Sequence, residues 1–177
     1  EVLPTGIDPA AFTGGDGAAF RAKHGIPPAR PVLVHISRVA HEKNIDFLLR
    51  MLVRLRESVP DVLLVIAGEG PAVPHVRGLV ARLGLDRTTA LLDCYRAGDA
   101  FVFASRTETQ GLVLLEALAL GVPVVSTAVM GTADVLRDAR GAVVAPEDEH
   151  AFAAAVAGVL GGAALRAPLA APGPPPA

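Results

Sequence analysis

The chain has 177 residues and a net charge of −2 with no block of basic side chains, enough length for one domain with a real core and no electrostatic footprint for nucleic acid. Half of the residues are hydrophobic, yet aromatics are few and tryptophan is absent, so the core must be Val, Leu, Ala and Ile, which suits a buried parallel sheet. The single cysteine, Cys94, excludes an internal disulfide and a cysteine-based zinc site, fits a reducing compartment, and reads as a packing residue in a helical pattern.

In chain order, residues 1–28 read as an irregular lead-in of the kind that links domains. They hold a turn at Thr5-Gly6-Ile7-Asp8-Pro9 and a short helix over 18–24, stopped by Gly25 and the Pro27-Pro28 pair. The opening EVLPTGIDPAAF reads as the middle of a protein, with no signal peptide, and no apolar run reaches the ~18 residues of a spanning helix. Residues 31–36 form the first apolar strand, and 37–42 a polar loop. Asn44 caps a helix that runs to about 59, with Ile45, Leu48, Leu49, Leu52 and Leu55 on one face. A second strand over 62–67 turns through Gly68-Glu69-Gly70-Pro71 into a helix over 72–83.

There the alternation breaks. Only residues 84–87 separate that helix from another over 88–97, whereas a parallel crossover needs a strand between two helices. Either two helices are joined directly or a strand is missing from this place. The rhythm then resumes: strand 100–104, helix to 120, strand 123–126, short helix 132–137, strand 142–145 and helix 149–160. Residues 161–177, rich in Ala, Pro and Gly with Arg166 as the one charge, read as a disordered or weakly docked tail. The expected fold is α/β, an open parallel Rossmann-like sheet over residues 29–160 with helices on both faces.

From 111 to 125 every residue is apolar, Gly or Pro except Glu116, whose helical neighbours are Leu112, Val113, Ala119 and Leu120. An unpaired buried charge is very costly, so this carboxylate is either open to a groove or buried with partners. The residues alone weigh the two equally: a buried helix with one internally satisfied glutamate, or a ligand-binding carboxylate. Glu108 precedes the same helix in a polar turn. Thr107 and Thr109 are candidate N-caps, Gly111 allows close backbone approach, and the helix start would offer N–H groups and a positive dipole end to a phosphate or hydroxylated ligand.

Ligands of open parallel sheets bind beyond the carboxyl ends of the strands. Arg38 directly follows the first strand and Lys43 lies beside a helix start, a pair of cations suited to a diphosphate. Gly68-Glu69-Gly70 is either a tight turn or a place where backbone approaches a base or ribose. Neither GxxxxGK[ST] nor GxGxxG occurs. His35 reads as a core or interface residue and His24, His41, His75 and His150 as surface residues, so no metal and no cofactor are expected. Two glutamates also occur in retaining glycosidases, a less favoured reading because anion-friendly loops have no role there.

The segment Ser37-Arg38-Val39-Ala40-His41-Glu42-Lys43 resembles the R-x4-K loop, and Glu108-x7-Glu116 the EX7E motif, of family 4 retaining glycosyltransferases of the GT-B fold. Residues 63–71 are similar to that family's strand and Gly-x-Gly-Pro turn, 117–126 to its E-A-x-A-x-G-x-P-V-V-x-S run, and 2–12 to its interdomain linker, so the resemblance covers most of 1–160. It implies the C-terminal, donor-binding half of such an enzyme. On that resemblance Arg38 and Lys43 hold the donor diphosphate. Glu108, with the amides of Thr109, Gln110, Gly111 and Leu112, holds the transferred sugar and phosphate. Glu116 takes the ribose hydroxyls, and Gly68, Glu69 and Gly70 complete the donor site.

The implied activity moves a hexosyl unit from a nucleoside diphosphate sugar, UDP first, to a glycan or lipid acceptor. The acceptor would be held by an N-terminal domain outside this chain, which by itself would not turn over. The implied location is the cytoplasm or the inner face of the membrane. The chain departs from the pattern at Asp86-Arg87, which stand where the family has a strand and a Gly-aromatic turn, and at Asn44, which replaces a Gly. The rival expectations are a non-catalytic nucleotide-sugar-binding module and a sugar-nucleotide epimerase or phosphorylase of similar architecture.

Overall fold

Short apolar segments separated by amphipathic helices produce a parallel sheet with both faces covered. A computed structural model describes residues 7–8, 15–85, 92–108, 110–137 and 139–162. In chain order the elements are α1 (Gly17–Lys23), β1 (Val32–Ile36), a 3₁₀ turn (His41–Lys43), α2 (Ile45–Leu55), β2 (Leu63–Ala67), α3 (Val73–Arg82) and α4 (Leu92–Ala97). There follow β3 (Ala100–Phe103), α5 (Leu112–Ala119), β4 (Val124–Ser126), α6 (Gly131–Leu136), β5 (Ala142–Val144) and α7 (Glu149–Gly161). Among the described residues the five strands form one parallel sheet in the order β2-β1-β3-β4-β5.

The register sorts side chains by parity. Leu33 pairs with Leu64 and Val102 with Val125, and all four face the core shared with α2, α3 and α7. Val34 pairs with Val65 and with Phe101, and these face the second core, with Phe20, Tyr95, Leu114 and Leu136. This is the doubly wound, Rossmann-like arrangement expected from the sequence. Because the chain leaves β1 for β2 on one side and returns to β3 on the other, the topological switch point lies between the loops that follow β1 and β3.

Several predicted boundaries move. The helix expected to reach about 59 ends at Leu55 before a turn into Pro60, and Asn44 caps it in a left-handed conformation (φ 53°) with no side-chain hydrogen bond. The helix expected from 72 begins at Val73 with a proline in its first turn, where a missing N–H costs nothing. The broken alternation falls on residues 86–91, which lie outside the described residues, as do 1–6, 9–14, Thr109 and the tail over 163–177. Beside β2, α2 and α3 leave an apolar groove of about 390 Å³ lined by Leu52, Leu64, Val76, Val80 and Leu85.

The described part of the lead-in is docked. Asp16 caps α1 by accepting the Ala19 N–H at 2.9 Å, and Phe20 is buried. Gly17 packs so tightly on α4 that an added Cβ would meet the Arg96 carbonyl oxygen at 2.2 Å.

Candidate functional site

Three loops at the carboxyl ends of β1, β2 and β3 are stitched together by main-chain bonds. The Ser37 N–H donates to the Ala67 carbonyl (3.2 Å), the Val39 N–H to the Glu69 carbonyl (2.8 Å) and the Ala72 N–H to the Val39 carbonyl (3.1 Å). Added Cβ atoms at Gly68 and Gly70 would meet the carbonyl oxygens of Ser37 and Val39 at 1.9 and 2.2 Å. Those glycines therefore let the second loop lie directly on the Arg38 loop. From the other side, the Arg106 N–H donates to the Glu42 carbonyl at 3.1 Å, and the Arg106 side chain pairs with Glu147.

Two of the predicted charged residues, Lys43 and Glu108, meet on this platform. Lys43 donates to Glu108 Oε2 at 2.8 Å, both side chains being mostly buried, and its Nζ lies 5.9 Å from the centre of the Phe103 ring. Glu108 Oε1 accepts the Gly111 N–H at 3.4 Å. Burial pushes the Glu108 carboxyl up, but the bond and charge from Lys43, with the Gly111 and Gln110 amides, outweigh it and hold the group below its ordinary value of 4.5. Arg38 is different: its side chain is 66% exposed and only 3.9 Å from Glu42, so its guanidinium is free to turn toward a ligand.

The candidate caps Thr107 and Thr109 are not the N-cap of α5. Gly111 is, in a left-handed conformation (φ 62°) and with no side chain to bond the first-turn amides. A threonine cap would have bonded one of those N–H groups; here no side chain does, and the Leu114 N–H donates to the Gly111 carbonyl at 2.9 Å. Gln110 is exposed and Leu112 half-buried, while Thr109 lies outside the described residues. Across from them the β4–α6 loop brings the Gly131 N–H to the Glu108 carbonyl at 3.2 Å. Two non-glycine residues of this loop, Ala128 and Met130, hold positive φ of 50° and 57°, and Met130 is exposed.

Glu116 stands on the second turn of α5, half-buried, and accepts the Tyr95 hydroxyl at 2.7 Å. Sequence reasoning missed Tyr95. It lies 21 positions away on another helix, and its only signal is that a buried phenol requires an acceptor. His35 is fully buried, as expected of a core residue. Its Nδ1 lies 2.9 Å from the Val102 carbonyl and its Nε2 2.8 Å from the Ser37 hydroxyl, so Nδ1–H donates and Nε2 accepts. Burial lowers its pKa to about 4, against the pull of the Val102 carbonyl and with help from the Lys43 charge, so the ring is a neutral brace under the Arg38 loop. Cys94 is buried, which pushes its thiol up to about 12, in keeping with a packing role. The other histidines are exposed; His75 bonds Asp46 at 2.7 Å.

A crevice with a Lys–Glu pair, an exposed arginine and a helix start without a side-chain cap can bind a phosphate group beside a hydroxylated one. Residues 16–171 match the family Glycosyl transferases group 1. The chain belongs to this family. Among curated relatives, the group 1 domain is 39% identical over 174 residues to D-inositol 3-phosphate glycosyltransferase 2 of Catenulispora acidiphila, covering 88% of this chain and 41% of the relative. It is 34% identical over 141 residues to alpha-monoglucosyldiacylglycerol synthase of Streptococcus pneumoniae, covering 71% and 32%. The group 1 domain thus spans about two fifths or less of these relatives' length. Among solved structures it is similar to WaaG, a glycosyltransferase involved in lipopolysaccharide biosynthesis, with a TM-score of 0.79 and 26% identity over 94% of this chain and 48% of WaaG. Anabaena Alr3699/HepE, solved with UDP and glucose, shares the fold with a TM-score of 0.80 at 19% identity, over 95% of this chain and 50% of that one.

Proposed function

We propose that this chain is the donor-binding half of a retaining glycosyltransferase, one that moves a hexosyl unit from a nucleoside diphosphate sugar, UDP-linked first, to a glycan or lipid acceptor. The observation that carries the reading is the Lys43–Glu108 pair at the switch point, beside the start of α5, which has no side-chain cap. When the bond between the sugar and the diphosphate breaks, negative charge grows on the leaving phosphate. On this reading Lys43, Arg38 and the first amides of α5 stabilise that charge, and Glu108 accepts bonds from the sugar hydroxyls. Gly68, Glu69 and Gly70 shape the wall on the β2 side. The reading assigns no metal and no organic cofactor.

Acceptor choice is assigned to the remaining length of proteins of this kind. The names of the relatives include an inositol phosphate and a glycolipid enzyme, although both share the present half. The chain alone is then a binding unit without turnover. Among the described residues no helix is long and apolar enough to cross a membrane, and location in the cytoplasm or on the inner membrane face stays part of the proposal.

Arg38 gives the cleanest test, because among the described residues its side chain makes no bond or ion pair beyond a loose contact to Glu42. Calorimetric titration of UDP into Arg38→Ala should show affinity reduced by about tenfold or more, the usual effect of losing a charged hydrogen bond, with an unchanged melting temperature. Equal affinity in the variant would remove Arg38 from the donor site.

A further inference from the structure

We propose that Tyr95 is a positioning residue whose buried phenol fixes the Glu116 carboxylate so that its remaining oxygen faces the ribose of the donor nucleotide. The proposal rests on the reading of the site given above and extends it to a residue on another helix.

Tyr95 is 2% exposed, and its ring stacks on Phe101 at 5.5 Å between centroids with planes 24° apart. Its helix, α4, is in turn clamped by α1 through the close contact of Gly17 with the Arg96 main chain. The phenol is therefore held from behind and presents one donor, at 2.7 Å, to Glu116 Oε2. Among the described residues no cation pairs with Glu116. A carboxylate has room for about four hydrogen bonds, and a neutral phenol supplies one.

A buried tyrosine could be satisfied by any main-chain carbonyl, at no electrostatic cost. Placing a carboxylate there, on an otherwise apolar helix, makes sense when its second oxygen has work outside the core. The place fits a ribose. Glu116 lies five residues beyond Gly111, roughly 7 Å along the axis of α5, which is comparable with the reach from a nucleotide's diphosphate to its sugar hydroxyls. Burial, then the bond to Glu116, raises the phenol's pKa, so the donor does not titrate in the working range.

The experiment titrates the full chain with UDP and with 2′-deoxy-UDP. The wild type should prefer UDP by roughly tenfold, and Tyr95→Phe should bind 2′-deoxy-UDP as the wild type does while losing most of that preference. Glu116→Gln should lose it too, and the double variant no more than either single one. A merely structural tyrosine would lower the melting temperature and leave the ratio of the two affinities untouched; that result overturns the proposal. If Tyr95→Phe does not fold, Glu116→Asp, which draws the carboxylate back from the phenol, must show the same loss of preference, and a retained preference overturns the proposal. A wild type that binds UDP without preferring ribose defeats both the Glu116 assignment and this proposal while the diphosphate site stands. A wild type that does not bind UDP defeats the donor-site reading itself, and this proposal with it.

Discussion

At Glu108 two opposing effects act on one carboxyl group. Burial raises its pKa, while the Lys43 ammonium at 2.8 Å and the amides of Gly111 and Gln110 lower it, and the lowering prevails. A native pKa below the unfolded value means that the unfolded chain binds this proton more readily. The pair's contribution is then fully present above about pH 4.5 and is lost as the pH falls through the native value. Urea denaturation at successive pH values should give a stability difference between the wild type and Glu108→Gln that is constant from about pH 7 to 5 and shrinks below about 4.5. A constant difference down to about pH 3 would show that the pair adds nothing to stability. At this scale the sequence revealed both partners, because each sits at a strand's carboxyl end. It did not reveal that they pair, since 65 positions separate them and only the sheet order makes them neighbours. The same blindness hid Tyr95: periodicity places a tyrosine in a core but does not say which acceptor its hydroxyl meets.

Among elements, the turn after β2 shows how one residue type serves two masters. In the sequence, Gly68-Glu69-Gly70 is equally a tight turn or an opening for a base. In the structure the group pressed against Gly68 is the Ser37 carbonyl, and the residue holds a φ of 145° that side chains rarely adopt. Gly68→Ala must therefore push the β2 turn away from the Arg38 loop or strain the main chain. Overpacking of this kind costs about 1–3 kcal/mol, and thermal melting should register it along with weaker nucleotide binding. An unchanged melting temperature would mean that the two loops are not mechanically joined. The start of α5 carries the opposite lesson. Serine, aspartate and asparagine are the better caps by propensity, yet Gly111 takes the position and gives the helix start no side-chain cap bond. Departures from the best local choice concentrate at sites, and this one lies beside Glu108.

On the scale of the whole molecule, the open parallel sheet with helices on both faces was legible because apolar runs of strand length alternate with helical periods. What held the lead-in was not legible, because, beside buried Phe20 and the tight packing of Gly17, its polar anchor is a side chain reaching across the fold. Arg21 of α1 donates through Nε and Nη2 to the Ala97 carbonyl at 2.9 and 2.6 Å, through Nη2 to Asp99 at 2.9 Å, and through Nη1 to the Arg30 carbonyl at 2.8 Å. Asp99 also accepts the Val32 N–H at 2.8 Å. One guanidinium thus ties α1, the end of α4, the entry to β1 and the entry to β3 into a unit on the side of the sheet opposite the site. Only 12% of the Arg21 side chain is exposed, so these bonds are poorly replaced by water. Losing charged, part-buried hydrogen bonds costs about 1.5–3 kcal/mol, and Arg21→Ala should lose at least that much in urea denaturation. Arg21→Lys is the sharper variant. A lysine keeps the charge and can pair with Asp99, but its single ammonium cannot fork onto the Ala97 and Arg30 carbonyls together, so it should recover less than half of the loss. Full recovery by lysine would reduce the clamp to a simple ion pair. Nucleotide affinity should stay near the wild-type value in Arg21→Lys wherever the protein is folded, because the clamp and the Lys43–Glu108 crevice occupy opposite ends of the strands.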